Sequence, residues 1–305
     1  MNYKKIIGSQ SMRFRLLKLL SFVPDSVMLK LQYRIKLGRF PDFKTPRRYT
    51  EKLQLYKMHY RNPELPVCVD KYGVRDYIRS KDMEDILVKL IGVYDRAEDI
   101  LFDELPEKFI IKTTDGGGGN NIIICDDKSK LNIEETVRAL NSWLNKKEIN
   151  AGREWAYTGM SKSRIIIEEY LENEENPEGG LEDYKFICFG GKAHYIVHDG
   201  ERFIGHKRNI YDRQWNNLHI GTDCESFMRD TPRPENLEEM LKTAELLAAD
   251  FPAVRVDLYN VKNKIYFGEL TFYPWSGYVQ FDPDEFDYEL GRLFDISSFM
   301  SQKQS

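Results

Sequence analysis

Hydrophobic and polar positions alternate most clearly near the C-terminal end of the chain. Val254-Arg255-Val256-Asp257-Leu258-Tyr259 and Ile265-Tyr266-Phe267-Gly268-Glu269-Leu270-Thr271-Phe272 are β-branched and aromatic. Asn260-Val261-Lys262-Asn263-Lys264 between them has the composition of a turn, so the segment predicts a β-hairpin. Upstream, Ile86 to Tyr94 predicts a strand. Phe109-Ile110-Ile111-Lys112 runs through Thr113-Thr114-Asp115 and four glycines, Gly116, Gly117, Gly118 and Gly119, into Ile122-Ile123-Ile124, which predicts a second hairpin. A helix is predicted over Ile133–Leu144 and a strand over Arg164–Leu171. Strands at Tyr184–Phe189 and Ala193–Val197 flank Gly190-Gly191, and another helix covers 235–250. Residues 11–60 read as helices broken by Pro24, Pro41 and Pro46, and Asp70 is placed to cap a helix running through Ile78. The order predicts a helical N-terminal lobe followed by an α+β body with mostly antiparallel strands. The expected divisions are a basic segment 1–60, a lobe 61–107, a glycine-loop unit 108–171 and a unit 172–305 that carries the last hairpin.

Composition places these elements in an ordinary globular chain. It has 305 residues, 41% hydrophobic and 31% charged, and its aromatic content of 13% argues against disorder. Cys68, Cys125, Cys188 and Cys224 are widely spaced and read as reduced thiols of a cytoplasmic protein. No run of apolar residues is long enough to span a membrane, and no secretory signal is visible. The net charge of −4 conceals an asymmetry. Residues 1–60 hold 14 Lys or Arg against 3 Asp or Glu, a charge of +11, which leaves −15 on the remainder. Arg13, Arg15, Lys18, Lys30, Arg34, Lys36 and Arg39 are interleaved with Leu16, Leu17, Leu19, Leu20, Phe22 and Val23. That pattern suits either an anionic membrane surface or polymer, or a solvated helical face that packs on the core. Nucleic acid is not expected as a partner, because the rest of the chain is acidic and carries no nucleic-acid motif.

The candidate chemistry starts from Asp257 and Glu269. A lone charge inside an apolar strand is costly, and a divalent cation between two such carboxylates removes the cost. Hard oxygens suit Mg²⁺, which also takes substrate phosphates as ligands. Arg255 shares a strand face with Asp257 and adds a fixed cation. The plainer alternative is two carboxylates at a solvated hairpin edge. The glycine run offers backbone N–H groups to a phosphate, with Lys112 just before it, or else is a flexible turn. It is neither a Walker A loop, lacking Gly-Lys-Ser/Thr, nor a dinucleotide fingerprint, since a strand follows it. At Ile167-Glu168-Glu169-Tyr170-Leu171 a buried strand turns polar, where backbone groups of Glu169 and Leu171 and the Glu168 carboxylate could meet an adenine edge. Lys185 and Arg208 are further cations. His194 and His198 share a strand face but lack a third metal ligand, so they read as structural.

In order, Val69-Asp70-Lys71-Tyr72, the Lys112 glycine loop, Ile167-Glu168-Glu169-Tyr170-Leu171, Asp183-Tyr184-Lys185-Phe186, His206-Lys207-Arg208-Asn209, Arg255-Val256-Asp257 and Tyr266-Phe267-Gly268-Glu269-Leu270-Thr271-Phe272 resemble the TupA-like branch of the ATP-grasp superfamily. The resemblance covers roughly residues 45–290. It implies ATP sandwiched between two α+β subdomains under a glycine flap, with Lys71, Lys112 and Gly116–Gly119 on the phosphates. Glu168, Glu169 and Leu171 would hold adenine, and an acid within Glu172–Glu175 the ribose. Asp257, Glu269 and Thr271 would hold Mg²⁺, Thr271 standing where the superfamily usually has Asn. Arg255, Lys185 and Arg208 would serve catalysis. The implied activity is amide formation through an acyl phosphate, joining an amino acid to a uronic-acid glycan of the cell surface. The enzyme would be cytoplasmic or peripheral at the inner membrane face, in contact with anionic membrane or a lipid-linked glycan. Two rivals stand beside it. Asp282-Pro283-Asp284 is an Asp-x-Asp of the kind glycosyltransferases use, and a non-catalytic nucleotide-binding protein would need no metal ligands.

Overall fold

Strand pairing organises the body of the chain into two antiparallel sheets, in a computed structural model that describes residue 20 and residues 22–116, 121–145, 152–160 and 162–301. Gly117, Gly118 and Gly119 lie outside the described residues, as do Arg13, Arg15, Leu16, Leu17, Lys18 and Leu19. The first sheet is built from β1 (Leu90–Tyr94), β2 (Phe109–Thr113), β3 (Ile122–Cys125) and β4 (Ile165–Glu169) in the order β1-β4-β2-β3. The second takes β5 (Asp183–Phe189), β6 (Lys192–Gly200), β7 (Lys207–Asp212), β8 (Ala253–Val261) and β9 (Lys264–Thr271) in the order β7-β6-β5-β8-β9. The predicted hairpins at the glycine run, at Gly190-Gly191 and at 260–264 are the pairs β2–β3, β5–β6 and β8–β9. Asp70 accepts from the backbone of Tyr72 and Gly73 at 2.9 and 2.7 Å, and caps the turn into the helix Val74–Ser80.

Each sheet has its own core. Beneath the first, Phe109, Ile111, Ile165 and Ile167 pack with Leu140 of the helix Ile133–Leu144, whose first turn is capped by Asn132. Against the second lies the helix Leu237–Ala248, with Leu237, Met240, Leu241, Ala244, Leu247 and Ala248 buried at helical spacing. Those residues meet Phe186, Cys188, Val254, Val256 and Ile196, so one face of the second sheet is apolar. Cross-strand partners share a face. The other face therefore carries Asp183, Lys185, Asp199, Arg208, Arg255 and Asp257.

The edge strand β9 changes phase to join this pattern. Ile265 and Phe267 face the core, and then Leu270 and Phe272 do, so the apolar parity shifts by one residue. The shift is a β-bulge at Gly268, where pairing passes from Leu258–Phe267 to Asp257–Glu269. A Cβ on Gly268 would lie 2.9 Å from the carbonyl oxygen of Asp257, so glycine is what fits. The bulge places Glu269 and Thr271 on the charged face, opposite Asp257 and Arg255.

Helix α2 (Tyr49–His59) packs against helix α3 (Glu285–Leu293), and helix α1 (Asp25–Leu37) packs against α2. Arg48 and Arg39 bridge to Asp284 and Asp287 there. The rival glycosyltransferase reading rested on Asp282-Pro283-Asp284, within the acidic segment 282–287, as a metal-binding Asp-x-Asp. Instead its Asp284 is clamped by two arginines, one bond being 2.6 Å, and the segment runs into a helix. That removes the observation on which the glycosyltransferase reading stood.

Candidate active site

The charged face is a connected lattice. Arg255 donates to both oxygens of Asp257 at 2.7 Å, and to Thr271 Oγ1 at 3.2 Å. Its terminal nitrogen is also 3.5 Å from Glu269, and Thr271 donates to Glu269 at 3.1 Å. Lys185 Nζ lies 3.0 Å from Asp257 and 2.5 Å from Asp183, and reaches Asp199 at 4.0 Å. Arg208 holds Asp199 through bonds of 2.6 and 3.0 Å, and Arg202 pairs with Asp183. The second oxygen of Asp183 is buried without a hydrogen-bond partner among the described residues.

These neighbours set the protonation. Burial pushes the Asp257 carboxyl above its ordinary value, outweighing Arg255 and Lys185. Burial also opposes ionisation of Glu269, but Lys71, then Arg255 and Lys185, hold it down at about 2. Asp199 is likewise held at about 2, with Arg208 the main partner overcoming burial. Burial lowers Lys71, with Glu269 opposing and Lys112 adding to the shift.

The first sheet supplies the facing groups. Lys112 Nζ sits 2.5 Å from Glu168, whose other oxygen takes Arg75 at 3.2 Å. The Glu168 carboxylate is thus shared between two cations, Lys112 and Arg75. The Glu169 N–H donates to Lys89 O at 3.0 Å. Leu171 lies two residues past β4, on the connection between the sheets. Lys71 N donates to Thr114 O at 3.0 Å, which ties the lysine to the base of the glycine run. A recess lined by Lys71, Gly116, Tyr157, Gly268 and Glu269 then joins the glycine loop of the first sheet to the acidic hairpin of the second.

Oxygen-only donors suit Mg²⁺. Asp257, Glu269 and Thr271 share the charged face, and among the described residues no cluster of three His, Cys, Asp or Glu could hold a metal unaided. A cation that takes one or two carboxylates and completes its shell with phosphate and water fits such a set. The two acids are unequal. Asp257 is 2% exposed with three bonds already on its oxygens, whereas the Glu269 side chain is 41% exposed and borders the recess. Glu269 is therefore the more accessible of the two carboxylates.

Asp183, Asp199, Arg202 and Arg75 were not singled out from the sequence. Asp183 and Lys185 alternate along β5 and could have signalled a polar face there. His198 is buried between Tyr184 and Phe227 rings and bonded to Glu182 and Thr231, a structural role as expected.

A family model for TupA-like ATP-grasp proteins matches residues 51–295. No curated protein matches the sequence. Among solved structures, D-alanine-D-alanine ligase from Helicobacter pylori is 17% identical, with a TM-score of 0.45, over 81% of this chain and 69% of that one. D-alanine-D-alanine ligase from Bacillus anthracis complexed with ATP is also 17% identical, at 0.45, over 78% and 67%. An L-amino acid ligase from Bacillus licheniformis is 13% identical, at 0.40, over 69% and 42%. At such scores these likenesses carry no argument about the site. The family match spans every described residue of the lattice and the recess, from Lys71 to Thr271, and the chain belongs to the TupA-like ATP-grasp family.

Proposed function

We propose that this ATP-grasp ligase joins an amine to a carboxylate by way of an acyl phosphate, the carboxylate belonging to a uronic-acid glycan or its precursor and the amine to an amino acid. The observation that carries the reading is the recess that brings Lys71, Gly116 and Glu269 together beside Arg255 and Lys185. Fixed cations and a carboxylate with no side-chain nucleophile are the equipment of phosphoryl transfer, where catalysis is positioning and charge neutralisation. A carboxylate oxygen of the acceptor attacks the γ-phosphorus of ATP and ADP departs. The amine then attacks the carbonyl carbon, and phosphate leaves with one former carboxylate oxygen while the amine loses a proton. Lys71 and Lys112 hold phosphate charge, Arg255 and Lys185 neutralise the transferred group, and Glu269, Asp257 and Thr271 would hold Mg²⁺, which screens the phosphates when bound. Arg208, bonded to Asp199 at the far end of the lattice, keeps Asp199 ionised beside Lys185.

The test is an ADP-release screen over amino acids with uronic-acid glycans whose carboxylates carry ¹⁸O. The reading predicts ADP release that needs both partners, with ¹⁸O appearing in phosphate. Release of ADP without the label in phosphate would overturn it, as would no response to any carboxylate.

A further inference from the structure

Helix α1 is apolar on two sides. Its inner face buries Met28, Leu29, Gln32, Tyr33 and Leu37, with Tyr33 hydroxyl 2.7 Å from Thr50 and Gln32 accepting from Tyr278 at 2.7 Å. A surface helix ordinarily turns charged residues outward. Here Val27, Leu31 and Ile35, four residues apart, remain 53%, 47% and 46% exposed in one stripe. Phe22 and Phe40 beyond the two ends are 81% and 69% exposed. Lys30 and Arg34 share this face. Lys30 Nζ lies 5.6 Å from the Phe43 ring centre and the Arg34 guanidinium 5.6 Å from that of Phe40.

Exposed aliphatics flanked by aromatics, with cations among them, are the surface of an interfacial helix. The chemistry selects the occupant. A polyuronate would satisfy Lys30 and Arg34 but leave Val27, Leu31, Ile35, Phe22 and Phe40 in water, whereas an anionic bilayer satisfies both. The charge of +11 over residues 1–60, in a chain of net −4, complements such a surface. We infer that the outward face of α1, with Phe22 and Phe40, docks on an anionic phospholipid bilayer. The docking also has a consequence for the site. The inner face of α1 touches Tyr278, directly after the turn Pro274–Gly277 whose Trp275 lies under Arg208 and Arg255 at 5.5 and 5.7 Å. A bilayer on the outer face would therefore lie on the Trp275 side of the lattice. The docking stands on the surface alone, so the reaction proposed above can fail without touching it.

The test uses the full chain without nucleotide, sedimented with phosphatidylcholine vesicles with or without phosphatidylglycerol, at low and high salt. The expected result is binding only to the anionic vesicles, weakened by salt. Leu31→Glu/Ile35→Glu should lower the bound fraction at least about tenfold. Lys30→Gln/Arg34→Gln should lower partitioning about fivefold per cation. Both variants should keep the wild-type melting temperature and ADP release on soluble substrates. Undiminished vesicle binding by both folded variants would overturn the inference, as would no binding by the wild type. Loss of melting temperature in Leu31→Glu/Ile35→Glu with vesicle binding kept would overturn it too, by showing that the chain itself covers the stripe.

Discussion

Arg255 grips Asp257 through two bonds of 2.7 Å from one strand, two residues apart, with both groups buried. Lys185 approaches the same carboxylate from the neighbouring strand at 3.0 Å. Removing one member of a buried pair leaves an uncompensated charge, which costs more than the pair contributes. Asp257→Asn should therefore lower the unfolding free energy by about 3 kcal/mol or more. Glu269→Gln should lose less, because its side chain is 41% exposed and solvent screens part of what Lys71 and Arg255 contribute. Urea unfolding of the two variants checks the contrast, and equal losses would show that the lattice does not discriminate between its carboxylates.

The Gly268 bulge predicts a defect of geometry and not of stability alone. In Gly268→Ala the new methyl meets the Asp257 carbonyl, and Glu269 must shift with the bulge. A displacement of about 1 Å near reacting groups can cost on the order of 100-fold in rate. The variant should fold, bind ATP and lose turnover. Full turnover in steady-state assays would mean that the Glu269 position is not critical.

Lys112 and Glu168 should act as one unit. In a double-mutant cycle with Lys112→Ala and Glu168→Ala, the effects on ATP affinity should fall short of additive by about 1 kcal/mol or more. Strict additivity would deny that Glu168 works by holding Lys112.

The depressed carboxyls predict a pH dependence. Glu269 and Asp199 titrate at about 2 when folded, below their unfolded values. The unfolded chain takes up protons first, so the stability they lend is complete above about pH 4.5 and drains as the pH falls toward their folded values. Asp257, raised on folding, acts with the opposite sign. Arg208→Met removes the main partner of Asp199. Its deficit against wild type, read from urea midpoints, should be largest at neutral pH and shrink toward pH 2. A deficit constant with pH would contradict the assignment.

The hairpin acids were legible because a charge inside an apolar strand stands out in the alternation, and the phase change from Ile265 and Phe267 to Leu270 and Phe272 writes the bulge into the sequence. The partners of Asp257 were less so. Lys185 meets it through β5–β8 pairing between distant segments, which no local pattern records. Strand β7 was missed because Lys207-Arg208-Asn209 is polar, and it is a strand only because β6 offers it an edge. The pairing of Glu168 with Arg75 and Lys112 was not legible, since neither is near it in sequence.

The most direct test of the site is ATP binding and turnover with and without Mg²⁺, in wild type and in Asp257→Asn, Glu269→Gln and Lys71→Met. The wild type should bind ATP in a metal-dependent way that a chelator abolishes. Lys71→Met should weaken that binding with the fold intact. Asp257→Asn and Glu269→Gln should each lower turnover by more than the roughly 100-fold that marks changes one layer removed from a metal. Near-normal turnover in both carboxylate variants, with ATP binding indifferent to Mg²⁺, would contradict the account.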